Sequence, residues 1–292
     1  MFNIQNYFKA HSVAEAMELL EARPEARLIA GGTDVLVKLR HFDHKYFNLV
    51  DIHDLAELQR EEISGGKLFL GSGLTFSRLI NSPLVKEHIP VLAEACATVA
   101  GPQIRNMGTI GGNIANGATS ADTAAPLLVL EPTLVIQGPG GVVKKSIIGF
   151  HTGPGRVSLE RNEILLGFEF DLETLKGFGA AYYKYAMRSA MDIATIGCAA
   201  AVKMDGGTIA DLRLALTVAA PTPIRCPAAE AAGRGRPLND GSLKDIAAAL
   251  DGDIKPRTSW RASKEFRTRI IKALADRMIR AAAEKTEAQV CR

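Results

Sequence analysis

Apolar residues recur at helical spacing in Val13, Ala16, Met17, Leu19 and Leu20, directly after Ser12 and with Glu15 three positions beyond it. This is the capping-box arrangement, and it predicts a helix over 12–22. Leu28-Ile29-Ala30 and Leu49-Val50-Asp51-Ile52 are short apolar runs between polar or glycine-rich stretches, which read as buried strands of a small α/β unit. A second segment opens with a strand at Leu68-Phe69-Leu70, followed by a short helix near 76–80 and a longer one near 91–99. Strands resume at Leu134-Val135-Ile136 and over 164–170, where Ile164, Leu166, Phe168 and Phe170 alternate with other residues.

From about Gly177 the texture changes. Runs at 182–185, 196–204 and 212–218 are strand-like, Asp205-Gly206-Gly207 supplies a hairpin turn between the last two, and helices near 243–250 and 263–283 close the chain. The pattern predicts an α+β protein: a two-part α/β region, about 1–57 and 58–175, followed by an α+β region of antiparallel sheet and helices over 176–292.

Two glycine pairs punctuate the first region, in Ala30-Gly31-Gly32-Thr33-Asp34 and Thr109-Ile110-Gly111-Gly112-Asn113. Glycine lets backbone come within hydrogen-bond reach of a ligand and adopt positive φ cheaply, so such loops can aim N–H groups at a phosphate. Either pair alone reads as a tight turn; the two together point to loops gripping one phosphorylated cofactor. Residues 114–125 are small and polar and read as an ordered loop over a ligand. Gly71-Ser72-Gly73 follows a strand and precedes a helix, but Phe76 stands where a dinucleotide fingerprint needs its third glycine.

Composition narrows the classes. The chain has 292 residues, 47% hydrophobic and 23% charged, with a formal charge of +3. Neither nucleic acid nor an anionic membrane is implied as a partner. No secretory leader or stretch of about 18 apolar residues occurs, which places the protein in the cytoplasm as an expectation. Cys96, Cys198, Cys226 and Cys291 are isolated, without the spacings of a zinc or iron–sulfur site, so no metal is expected on this chain. Basic residues gather near the end, among them Arg257, Arg261, Lys264 and Arg267, as a solvated helix face or a phosphate-binding patch. His41 and His44 flank Asp43 in a polar stretch that reads as surface loop or metal cluster, and His151 sits in a glycine-rich loop. Asp122 is suited either to accepting hydrogen bonds from sugar hydroxyls or to capping the turn before Pro126. Lys184 and Arg188 follow a strand, either at the surface or as fixed charges beside an anionic reduced cofactor. No paired catalytic acid and base is visible.

These motifs, with Glu163-Ile164-Leu165-Leu166 and with Lys184, Arg188 and Asp192, occur in the order and spacing of the FAD-binding subunits of molybdenum hydroxylases, which the chain resembles over nearly its whole length. Within that family Gly101-Pro102-Gln103-Ile104-Arg105-Asn106, His151-Thr152-Gly153-Pro154-Gly155 and the stretch from Trp260 to Arg267 are most similar to the bacterial xanthine dehydrogenase branch. The resemblance implies a two-part FAD-binding domain of the PCMH type and a C-terminal flavoprotein domain. It implies that Arg27, Leu28, Ile29, Ala30, Gly31, Gly32, Thr33 and Asp34 wrap the FAD diphosphate, and that Thr109, Ile110, Gly111, Gly112 and Asn113 supply a second set of donors. Asp122 would hold the ribityl side, Leu165 the adenine end, and Lys184 would approach the flavin ring, with Arg188 and Asp192 tuning it. Val99 departs from relatives that carry a large aromatic there.

In such enzymes a purine is hydroxylated at a molybdopterin centre on a large subunit, and electrons pass through [2Fe-2S] clusters on a small subunit to FAD, which reduces NAD. A heterotrimer or its dimer is implied. Two alternatives stay open: another molybdenum hydroxylase acting on an aldehyde, a nicotinate-like ring or carbon monoxide, and a flavin-free scaffold or nucleotide-binding subunit.

Overall fold

The computed structural model describes residues 2–290, with side chains to Thr286. The early apolar runs pair in parallel: strands Asn6–Lys9, Asn48–Asp51 and Arg27–Ile29 form a three-stranded sheet in that order. Leu49 and Val50 on its central strand are fully buried. Helix Val13–Ala22 starts where Ser12 Oγ accepts the Glu15 N–H at 3.0 Å, and the Glu15 carboxylate reaches back to the His11 N–H at 2.8 Å. Val13, Ala16 and Leu20 face the core from this helix, as their spacing predicts.

The next region is a five-stranded antiparallel sheet in the order Glu61–Ser64, Lys67–Gly71, Ile164–Asp171, Thr133–Gly138, Gly141–Ser146. The antiparallel setting of Lys67–Gly71 explains why Gly71-Ser72-Gly73 is no dinucleotide loop. A Cβ at Gly71 would lie 2.2 Å from the Leu58 carbonyl oxygen, so that glycine serves close packing of the chain on itself. Strand Ile164–Asp171 does not keep the alternation its sequence predicts. Its register with Thr133–Gly138 shifts between Leu165 and Gly167, so Ile164 packs into the first core while Leu165, Phe168 and Phe170 all enter the second. One strand thereby ties two cores together.

Short helices cover this sheet, and proline begins three of them, Pro83–His88, Pro90–Ala97 and Pro102–Met107, because its missing N–H costs nothing there. The expected loop over 114–125 is corrected by the structure. The second glycine pair lies inside helix Ile110–Ala115, helix Ala124–Leu130 begins before the expected loop ends, and only 116–123 between them is irregular. Three of its small residues are core residues after all: Ala121, Ala124 and Ala125 are buried in the same cluster as Ala199, Ala201 and Ala215. Small size marks close packing here, not exposure.

The last region holds a four-stranded antiparallel sheet in the order Phe178–Tyr185, Ile196–Asp205, Thr208–Thr217, Ile224–Arg225. Gly206 and Gly207 turn the hairpin with φ of +53° and +80°. Strand Ile196–Asp205 is buried on both faces, with Ala199 and Ala201 against the middle core and Cys198, Ala200 and Val202 against the last. The last core is completed by helices Asp240–Asp253 and Lys264–Val290, both longer than their apolar pattern alone marks. Cys96, Cys198 and Cys226 are buried free thiols whose pKa burial raises; Cys291 lies outside the described residues.

Candidate functional site

A cleft of about 540 Å³ lies between the two glycine motifs, within the size range of small-molecule sites. Arg27 and Leu28, the whole of Ala30–Asp34, then Thr109, Gly111, Gly112, Asn113 and Leu165 line it. Ile29 and Ile110 do not. The Ile29 side chain packs under Gly32, 3.2 Å from where a Cβ would stand, and Ile110 is fully buried.

The two glycine pairs are built differently. At the first, a Cβ on Gly31 would lie 1.8 Å from the Met107 carbonyl oxygen, so the loop is pressed against the end of helix Pro102–Met107. Gly32 has φ of +70°, a conformation that side chains resist. Among the described residues no backbone acceptor takes the N–H groups of Gly31, Gly32, Thr33 or Asp34. Four donors in a row are thus free at the mouth of helix Val35–Arg40.

At the second pair the N–H groups are spent within the protein. Ile110 donates to the Leu74 carbonyl at 3.0 Å, Gly111 to that of Ser72 at 2.8 Å, Gly112 to Thr109 Oγ at 3.0 Å and Asn113 to the Thr109 carbonyl at 2.9 Å. Asn113 Oδ1 accepts the Thr123 hydroxyl at 2.6 Å, which leaves the amide NH₂ as its donor end. Gly111 is forced by packing, since a Cβ there would lie 2.4 Å from that of Ser72. Gly112 is different: beyond its own helix, Thr109 Oγ at 2.9 Å is all that a Cβ would meet within 4 Å. Its missing side chain keeps the cleft open.

One cleft residue carries a signal that the sequence did not reveal. Lys38, one turn along helix Val35–Arg40, donates to the Tyr46 hydroxyl at 2.8 Å and to Asn116 Oδ1 at 2.9 Å. It therefore holds a positive charge beside the four free donors and links both glycine segments, with neutral partners only. The run Val-Leu-Val-Lys-Leu-Arg has no clear periodicity, so neither the helix nor the lysine facing inward was legible.

Asp122 and Lys184 stand outside the cleft lining and bind each other. Asp122 Oδ2 lies 2.7 Å from Lys184 Nζ with both side chains about nine-tenths buried, and Lys184 also donates to the Thr98 carbonyl at 3.0 Å. Burial pushes the Asp122 carboxyl up to about 6, opposed by the charge and hydrogen bond of Lys184 and by the Tyr182 hydroxyl. Through Lys184 the pair meets the chain at Thr98, directly before Val99 and Ala100, which do line the cleft. Arg188 and Asp192 lie on the loop after strand Phe178–Tyr185, where Asp192 accepts the Arg188 N–H at 3.1 Å and Arg188 Nη2 donates to the Met191 carbonyl at 2.7 Å. The structure does not bring them into the cleft lining. His151 is buried outside it too, its ring edge-on to Phe150 at 5.7 Å, and burial lowers its pKa.

The family model for the FAD binding domain in molybdopterin dehydrogenase matches residues 2–170, more than half of the chain, and that for the CO dehydrogenase flavoprotein C-terminal domain matches 181–282. The xanthine dehydrogenase FAD-binding subunit of Escherichia coli O157:H7 is 49% identical over 280 residues, covering 96% of each chain. The chain belongs to the FAD-binding subunits of xanthine dehydrogenase-type molybdenum hydroxylases. This FAD-binding subunit is also 34% identical to the carbon monoxide dehydrogenase medium chain of Hydrogenophaga pseudoflava over 283 residues, 94% of this chain and 96% of that one. A solved structure of carbon monoxide dehydrogenase from the same organism superposes with a TM-score of 0.93 at 32% identity, covering 98% and 99% of the two chains. The cleft suits such a cofactor: free backbone donors and a lysine on one wall, and a glycine without side chain on the other. Among the described residues no helix is long and apolar enough to cross a membrane, and no cluster of metal-binding side chains occurs.

Proposed function

We propose that the chain holds FAD between its glycine motifs and carries electrons from [2Fe-2S] clusters on a small partner subunit to NAD, in a xanthine dehydrogenase whose large subunit hydroxylates a purine at a molybdopterin centre. The observation that supports the binding mode most is that Gly31–Asp34 line the cleft and that, among the described residues, no backbone acceptor takes their N–H groups. Bound FAD would supply the exchange between one-electron and hydride chemistry that such a junction needs.

The residues divide the work. Gly31, Gly32, Thr33 and Asp34 donate to the diphosphate and Lys38 supplies the balancing charge, while Arg27, Leu28 and Ala30 complete that wall. Gly112 admits the cofactor and Asn113 offers its amide, with Thr109 fixing the turn. Leu165 meets the adenine end through its backbone. Asp122 and Lys184 work as a pair behind Val99: the carboxylate holds the ammonium against the Thr98 carbonyl, and so fixes the wall nearest the flavin ring. Arg188 and Asp192 shape the loop beside the ring and tune access for NAD. The FAD-holding part ends near residue 175, and the assembly is a heterotrimer or its dimer.

A second reading keeps the FAD and changes the substrate, since the medium chain of a carbon monoxide dehydrogenase is 34% identical. The 49% identity to a xanthine dehydrogenase subunit favours the first. A flavin-free scaffold would have no need of an open Gly112. The test is to purify the chain with its partner chains and measure NADH formation with xanthine. Xanthine-dependent NADH formation that stops on flavin removal is expected. Oxidation of carbon monoxide or an aldehyde with no response to xanthine, or NADH formation that survives flavin removal, would overturn the proposal.

A further inference from the structure

The mostly buried Arg213 and Arg225 are each balanced by acids. Arg225, for example, has Glu230 at 2.6 Å and Glu131 as a second partner, and its pKa is raised by them against burial. Arg267, at the start of helix Lys264–Val290, has no acidic partner among the described residues. It is 2% exposed, and the charged groups that bear on it are two further guanidiniums, Arg257 and Arg261, which with burial lower its pKa. Its Nη1 donates to the Thr195 carbonyl and its Nη2 to Ser259 Oγ at 2.8 Å, but its Nε has no acceptor. The buried Nε of Arg261 has none either. Three cations gathered with no carboxylate partner among the described residues, two of them with unmet buried donors, cost stability that a counter-charge from outside would offset.

The same turn is shaped for display. Ser259 donates to the Ala262 carbonyl at 3.0 Å, which closes a tight turn with Trp260 and Arg261 at its tip. Trp260 is 76% exposed, and the Arg261 guanidinium covers one face of its ring at 4.2 Å from the centroid. Phe266, 40% exposed, sits next to Tyr185 with ring centroids 6.0 Å apart. A small phosphate would use the arginines and leave these aromatics idle. Exposed tryptophan and arginine side by side are instead the side chains that dominate protein interfaces.

We infer that the turn 257–267 is a docking site for an acidic segment of a partner polypeptide, whose carboxylates take Arg257 and Arg261 and whose apolar side chain covers the open face of Trp260. This rests on the multi-chain assembly proposed above. The test uses the full chain co-purified with its partner chains, comparing wild type with an Arg257→Glu, Trp260→Ser double variant. Both positions are exposed and neither lines the FAD cleft, so FAD content and thermal midpoint report an intact fold. We expect the dissociation constant of the assembly to rise at least tenfold, and its sensitivity to NaCl to fall. A wild type that assembles and a variant that assembles equally well would overturn the docking site alone; a wild type that does not assemble would overturn the proposed function with it. Trp260 is the one tryptophan in the sequence, so its emission reports this turn directly. Titration of the free chain with inorganic phosphate should leave that emission unchanged, and a saturable change would reassign the turn to a small anion and overturn partner docking.

Discussion

The two glycine pairs look alike in sequence and do opposite things in the fold. At Gly31–Asp34, which line the cleft, the N–H groups have no backbone acceptor among the described residues, while at Ile110–Asn113 every N–H is already taken by Leu74, Ser72 or Thr109. The first is a row of donors waiting for an anion. The second is a wall, drawn tight by its own hydrogen bonds and kept thin by glycine. A glycine-rich motif beside a cofactor is thus not by itself a set of ligands. What separates the two roles is whether the neighbouring chain already satisfies the backbone.

That difference can be broken by substitution. Gly31→Ala places a Cβ 1.8 Å from the Met107 carbonyl oxygen, a backbone atom that cannot swing away. Overpacking of this kind costs about 3 kcal/mol or more, and chemical denaturation of the free chain should show that loss even without FAD.

The Asp122–Lys184 pair behind the wall gives the next largest effect. The folded pKa of Asp122, about 6, is above its ordinary 3.8, so the folded state holds its proton more tightly than the unfolded chain does. Its contribution is fully present below about pH 4 and is lost as pH rises through 6, a change of about 2–3 kcal/mol. Unfolding free energies of wild type and Asp122→Asn, measured from pH 4 to 7, should diverge in that sense. A difference that is constant with pH would show that the carboxylate does not titrate there.

Gly112→Val tests the open side of the wall. Since a Cβ at Gly112 meets little besides the Thr109 hydroxyl, the fold should survive with a small loss, while FAD affinity falls by about 2 kcal/mol, or thirtyfold, as the side chain enters the cleft. Stoichiometric FAD after gel filtration of this variant would show that the wall does not face the cofactor. Lys38→Met is expected to weaken FAD binding about tenfold and to lessen its dependence on salt, as for loss of one charge-assisted contact, about 1.4 kcal/mol. Unchanged affinity would reduce Lys38 to a clasp between Tyr46 and Asn116.

Much of the fold was legible because its signals are local. Ser12 and Glu15 mark a helix start, Gly206-Gly207 a hairpin, and the apolar runs at Leu49, Leu68 and Leu134 lie on strands. The failures are non-local. Residues 114–125 read as loop because they are small, yet Ala121, Ala124 and Ala125 among them are buried in the core shared with strand Ile196–Asp205. The alternation at Ile164–Phe170 misled because a bulge, set by the neighbouring strand, flips the faces midway. Both glycine motifs were found, but not which one keeps its donors free, since that depends on Ser72 and Leu74 far away in sequence. Asp122 and Lys184 were each singled out, and their pairing across 62 positions was not visible.

Amide hydrogen exchange at single-residue resolution, with and without FAD, tests the central contrast most directly. The account predicts that Gly31, Gly32, Thr33 and Asp34 exchange quickly in the free chain and are strongly protected by FAD, while Ile110–Asn113 are protected already and change little. Protection that appears instead at Ile110–Asn113, with Gly31–Asp34 unaffected by FAD, would contradict it.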